Sequence, residues 1–133
     1  MSKLVLFLCH HGAAKSVLGA AYFRKAVGER GLDLEADFAG TEPDDDIAPH
    51  VAAHLAQEGL QAPPHEPRLL TQADLRQAAK VISLGCPLDG FDLQGVDMEH
   101  WEYIPAPSED LVGAAQLIEE KANALVADLA RSA

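Results

Sequence analysis

"LVLFLCHHGAAKS" (residues 4–16) is the stretch that decides the fold. An unbroken apolar run, Leu4 to Leu8, ends on Cys9; His10, His11, Gly12, Ala13 and Ala14 follow, and Lys15-Ser16 closes the stretch. Apolar residues at every position, without alternation, mark a strand buried on both faces of a parallel sheet. Helical periodicity begins almost at once, near Ser16. The amides of so short a loop, with those of the helix start, point inward and form a nest for an oxyanion. A cysteine at the head of the loop faces the positive end of a helix and Lys15, the setting that makes thiols nucleophilic. Ser16 is placed to hydrogen-bond the sulfur.

Working outward, strands and helices alternate. Residues 3–9 form the first strand and 16–30 a helix closed by Gly31, a favourable C-terminal cap. Residues 34–40 read as a shorter second strand. Residues 47–60 read as a helix with Asp44, Asp45 and Asp46 capping it and Pro49 in its first turn. A proline-rich connection (61–70) leads to a short helix over 72–79 capped by Thr71, then a third buried strand over 80–86. Turn residues and no periodicity make 87–99 a mobile loop. Residues 100–105 supply a short fourth strand, and Ser108-Glu109-Asp110 caps a long amphipathic helix reaching about Ala130. That helix packs on the sheet, with dimerisation the alternative. Alternating β and α units predict a parallel sheet with helices on both faces, and ligands in such sheets bind beyond the carboxyl ends of the strands. Cys9 and Cys86 both fall there.

Composition narrows the function. At 133 residues and 48% apolar content the chain is the size of a single domain, 1–133, with a full core. A net charge of −11 argues against nucleic acid and against anionic membrane surfaces. An anionic ligand therefore requires a local, backbone-lined positive pocket. The apolar run at the N-terminus is too short for a membrane span and lacks a cleavage pattern, so the chain is expected to be cytoplasmic. Two cysteines in that setting suit redox or catalytic use better than a structural bridge.

These motifs resemble the low-molecular-weight tyrosine phosphatase and arsenate reductase superfamily, whose signature is a first strand followed by C-x5-R-S. The arsenate reductase branch, with C-V-H-N-A-G-R-S, is the more similar: Cys9, His11, Ala13 and Ser16 match it without gaps. "FAGTEP" (38–43), "LTQADLRQAAKVISLGC" (70–86) and "EHWEYIPAPSED" (99–110) extend the resemblance over nearly the whole chain. It implies a three-layer α/β/α fold with a four-stranded parallel sheet, phosphotyrosine protein phosphatase I-like. It also implies Cys9 as nucleophile, Ser16 as its stabiliser, residues 10–14 as the oxyanion-binding loop and Cys86 as the second thiol of thioredoxin-coupled members. The expected partners are a small oxyanion (arsenate, phosphate or sulfate) and a thioredoxin-like or low-molecular-weight thiol reductant.

The departures fall where the chemistry is. Lys15 replaces the arginine, Gly12 the loop asparagine, and Ala106 the aspartate of Pro-Asp-Pro. A compact ammonium does not clamp two oxygens as a guanidinium does. Loss of a general acid typically slows ester hydrolysis by about 10²–10⁴-fold. No third cysteine follows Cys86 in residues 87–97. The expectation is therefore a weakened arsenate reductase-like or phosphatase-like protein. The alternative is a catalytically inactive homologue that binds an anion or a partner, or senses redox state through Cys9 and Cys86.

Blander readings stand beside these. Cys9 and Cys86 can be core residues, and His10 or His11 simple loop filling. His50 and His54 share a helix face at i, i+4, but no glutamate follows His50 as H-E-x-x-H requires, so they are read as solvated. Trp101 is read as a core or rim aromatic. No cofactor and no metal is assigned.

Overall fold

The computed structural model describes residues 3–63 and 65–132. Its elements run β1 (Lys3–Cys9), α1 (Lys15–Arg30), β2 (Leu34–Gly40), α2 (Pro49–Gln57), α3 (Gln72–Gln77), β3 (Lys80–Ser83), β4 (Met98–His100) and α4 (Leu111–Ser132). The four strands form one parallel sheet in the order β2-β1-β3-β4. No helix among the described residues is long and apolar enough to cross a membrane.

The pleat of β1 explains its composition. Val5, Phe7 and Cys9 point into a core shared with α1, α2 and α4, where Phe23, Leu55 and Ile118 are fully buried. Leu6 and Leu8 point the other way, onto Leu75 of α3 and Leu70. A strand that must satisfy two apolar layers has no place for polar residues. This is the expected three-layer α/β/α arrangement. Its central strand delivers Cys9 to the carboxyl rim, opposite Gly40 of β2.

Several boundaries differ from the sequence reading. β3 stops at Ser83 instead of running to Cys86, because the Ser83 hydroxyl accepts the Cys86 amide proton at 3.2 Å and turns the chain away. Gly85 takes the left-handed conformation (φ 80°) that this turn requires. The fourth strand is Met98–His100, paired with Val81–Ser83, instead of residues 100–105. After His100 the Trp101 ring dives into the core, 3% exposed and edge-on to Phe7, which ends the strand. The loop before β4 is tied to α3: Gln72 exchanges two hydrogen bonds with Asp92, and Arg76 pairs with Asp92 at 2.7 Å.

Caps divide the same way. Thr71 and Asp74 form a full capping box on α3, and Asp110 accepts the Gly113 amide at the start of α4. The aspartates before α2 do not cap it. Its N-cap is Ala48, which has no side chain to accept a bond, and Pro49 follows. Asp44 is drawn instead toward the loop after β1, where its amide donates to the His11 carbonyl at 3.0 Å.

Candidate active site

Residues 9–16 form a wrapped loop at the carboxyl end of β1. Three backbone bonds hold it against the segment after β2: Glu42 N–H to His10 O (2.9 Å), Asp44 N–H to His11 O, and Ala48 N–H to Ala13 O (2.9 Å). Gly12, at φ 59°, lies directly against Gly40, and a Cβ on Gly40 would come within 2.6 Å of the Gly12 nitrogen. The two glycines therefore let the loop close, and Gly12 serves a turn at the position where the related signature has asparagine.

α1 begins at Lys15, with Ala14 as its N-cap and no side-chain bond to its first amides. Uncapped first-turn amides are the usual anion donors of a helix N-terminus. Ser16 is fully buried, and its Oγ lies 3.1 Å from Cys9 Sγ. Above them opens a cavity of about 330 Å³. The loop lines it with Cys9, His10, His11, Ala13, Ala14 and Lys15; Asp44, Ala48 and His50 form one wall, and Leu84, Gly85, Pro107 and Ser108 the other. Gly12, Ser16 and Cys86 are not among its lining residues.

The polar groups around the cavity are of two kinds. His10 Nε2 pairs with Glu42 at 3.3 Å; His11 Nδ1 donates to the Glu42 carbonyl at 3.0 Å and faces Asp44 at 3.5 Å. Lys15 and His50, by contrast, have no hydrogen bond or ion pair among the described residues. His54, one turn after His50, is taken up by Glu58 at 2.7 Å, and Glu58 also accepts the Tyr22 hydroxyl. The two histidines read together as a solvated face thus have different surroundings. The signal for His50 was available: a helix that follows a parallel strand starts at the ligand-binding rim, and Pro49 marks that start.

Cys86 is buried near the rim and hydrogen-bonds Thr41 Oγ1 across 3.8 Å; Thr41 also reaches His10. Burial pushes the Cys86 thiol up and the neighbouring Cys9 adds to it, outweighing the Thr41 bond. Both cysteines are free thiols.

The family model for the low molecular weight phosphotyrosine protein phosphatases matches residues 4–86, which carry β1, the Cys9 loop, β2 and β3. The chain belongs to this family. Within the superfamily it is 26% identical, over 71% of its length and 68% of the relative's, to a putative arsenate reductase of Halobacterium salinarum. YfkJ of Bacillus subtilis has the same fold (TM-score 0.87, 19% identity, 99% of this chain and 97% of that one). So does a thioredoxin-dependent arsenate reductase of Corynebacterium glutamicum (TM-score 0.82, 24% identity), of which this chain, covered over 99% of its length, spans 63%. The phosphatase-family fold accounts for the position of Cys9, the loop and α1.

Proposed function

We propose that the chain acts as one domain, 1–133, that captures a tetrahedral oxyanion in the 9–16 loop and attacks it with the Cys9 thiolate. The observation that carries this reading is the Ser16 hydroxyl 3.1 Å from Cys9 Sγ, beneath a cavity that the uncapped start of α1 faces. Ser16 donates its proton to the thiolate, the loop amides take the equatorial oxygens, and Lys15 balances their charge as a point cation.

With arsenate, Cys9 Sγ bonds to arsenic and one arsenic-bound oxygen leaves as water. The Cys86 thiolate then attacks Cys9 Sγ, forming the Cys9–Cys86 disulfide. The S–As electron pair stays with arsenic, which departs as arsenite. Two thiols are oxidised and arsenic(V) becomes arsenic(III). A thioredoxin-like dithiol or a low-molecular-weight thiol returns the disulfide to thiols, which fits a reducing cytoplasm. The resemblance to a thioredoxin-dependent arsenate reductase supports that choice of reductant. Hydrolysis of phosphate esters is slower than in relatives that carry an acid at the position of Ala106.

Arsenate-dependent oxidation of reduced thioredoxin, and of glutathione, tests the reading on wild type and Cys9→Ser. Turnover confined to wild type is expected; equal turnover, or none in either, contradicts catalysis. Ala106 favours a second reading, anion binding or redox sensing without turnover. A Cys9–Cys86 bond found by mass spectrometry after mild oxidation, in a protein that turns over neither arsenate nor an aryl phosphate, identifies that case.

A further inference from the structure

An oxygen that leaves phosphorus or arsenic must take up a proton, and the residue that resembles the missing donor, Ala106, has none to give. Among the kinds of group that line the cavity, an ammonium or a serine hydroxyl is a poor proton donor near neutral pH. His10, His11 and Asp44 are committed to one another's segments through the contacts at 3.0–3.5 Å described above. The remaining titratable group is the His50 imidazole, which is exposed to the cavity and has no partner among the described residues. Its position is fixed from two residues away, since Ala48 N–H is bonded to Ala13 O inside the anion loop.

We propose that His50 is the proton donor to the leaving oxygen, an inference that rests on the Cys9 reading above. An imidazole is the side chain suited to exchange a proton between pH 5 and 8. In the first step Cys9 Sγ bonds to phosphorus, the bond from phosphorus to the leaving oxygen breaks, and that oxygen takes the His50 proton and departs as an alcohol. The now neutral ring accepts a proton from a water whose oxygen bonds to phosphorus as the S–P bond breaks, which releases phosphate and the Cys9 thiolate. With arsenate the same proton departs in water. Lys15, Asp44, His10, His11 and Cys9 are the charged or titratable groups that share the cavity, and they shape the pH range of the step.

Leaving-group dependence separates proton donation from binding. Phenyl phosphate needs the proton; 2,4-dinitrophenyl phosphate does not. His50→Gln is expected to lower kcat/KM, which is set by the step that expels the leaving group, roughly 100-fold for phenyl phosphate and less than about threefold for the dinitrophenyl ester, whose leaving group needs no proton. The fall of wild-type phenyl phosphate activity at high pH should vanish in this variant, and added imidazole should restore turnover to His50→Ala. Equal losses on both esters, or no loss on either, overturn the role of His50 while leaving the Cys9 reading intact. Wild type as inert as Cys9→Ser on both esters and on arsenate overturns the two together.

Discussion

Two groups of charged side chains flank the sheet, and they are built on opposite plans. At the β2 edge Arg68 is held by two carboxylates, Asp37 at 3.0 Å and Asp74 at 2.8 Å, while His65 bonds Asp37 and stacks flat on Phe38. Each of these four side chains, Arg68, Asp37, Asp74 and His65, has a partner among the others. At the carboxyl rim Lys15 and His50 have none among the described residues, and the cavity they line is large enough for a tetrahedral anion. Partnered side chains hold one another in place, whereas unpartnered polar side chains around a shared cavity leave their polar groups accessible. The two regions meet through the backbone. Gly40, which backs Gly12 of the anion loop, donates its amide to the Arg68 carbonyl and accepts that of Leu70.

If this division is right, changes on the two sides have separate consequences. The largest is expected for Cys9→Ser, which removes the nucleophile and should cut turnover on the order of 10³-fold or more, with the melting temperature unmoved. Lys15→Met should weaken phosphate binding roughly tenfold by calorimetry, and Lys15→Arg should strengthen it by a similar factor, because a bidentate fork replaces a point charge. A loss of melting temperature in Lys15→Met would show that the cation is structural after all. Ser16→Ala removes the hydrogen bond to Cys9 and should slow alkylation of Cys9 by iodoacetamide about fivefold, the equivalent of about 1 kcal/mol.

On the paired side, Asp37→Asn should lower stability by about 1 kcal/mol, since the pair is partly exposed, and leave phosphate affinity unchanged. The smallest effect is one of pH. Burial opposes the charged forms of Asp37 and Asp74, but the bonds from His65 and Arg68 outweigh it, holding both carboxyls below the usual range. Lowered folded-state values mean that this stabilisation is complete above the unfolded carboxylate range near pH ~4. It is lost as pH falls through the folded values. Urea midpoints measured downward from pH 5 should decline in wild type and decline less in Asp74→Asn.

Much of this was legible in the sequence, for particular reasons. β1 must be apolar on both faces, and the residues that follow it must wrap tightly into the start of a helix; both demands are local, and "LVLFLCHHGAAKS" states them. The thiol, Ser16 and the helix start fell where they were expected. What failed was set by bonds and packing that residue type alone does not announce, some local and some distant in sequence. β3 ends early because Ser83 turns the chain, and β4 shifts because Trp101 finds Phe7. The acidic run before α2 looks like a cap, yet Ala48 takes that position and Asp44 turns to His11. The Arg68 network joins residues from β2, a connection and α3, which no spacing rule links. His50 was hidden by its pairing with His54, until the fold placed the start of α2 at the rim.

The proposed function depends on the 9–16 loop holding a tetrahedral oxyanion against Cys9. Alkylation of the two thiols by iodoacetamide, followed residue by residue by mass spectrometry with and without phosphate or arsenate, tests it most directly. Either anion should slow modification of Cys9 in a saturable manner, phosphate should leave Cys86 unaffected, and Lys15→Met should need more anion for the same protection. Cys9 modified at the same rate with and without anion would contradict it.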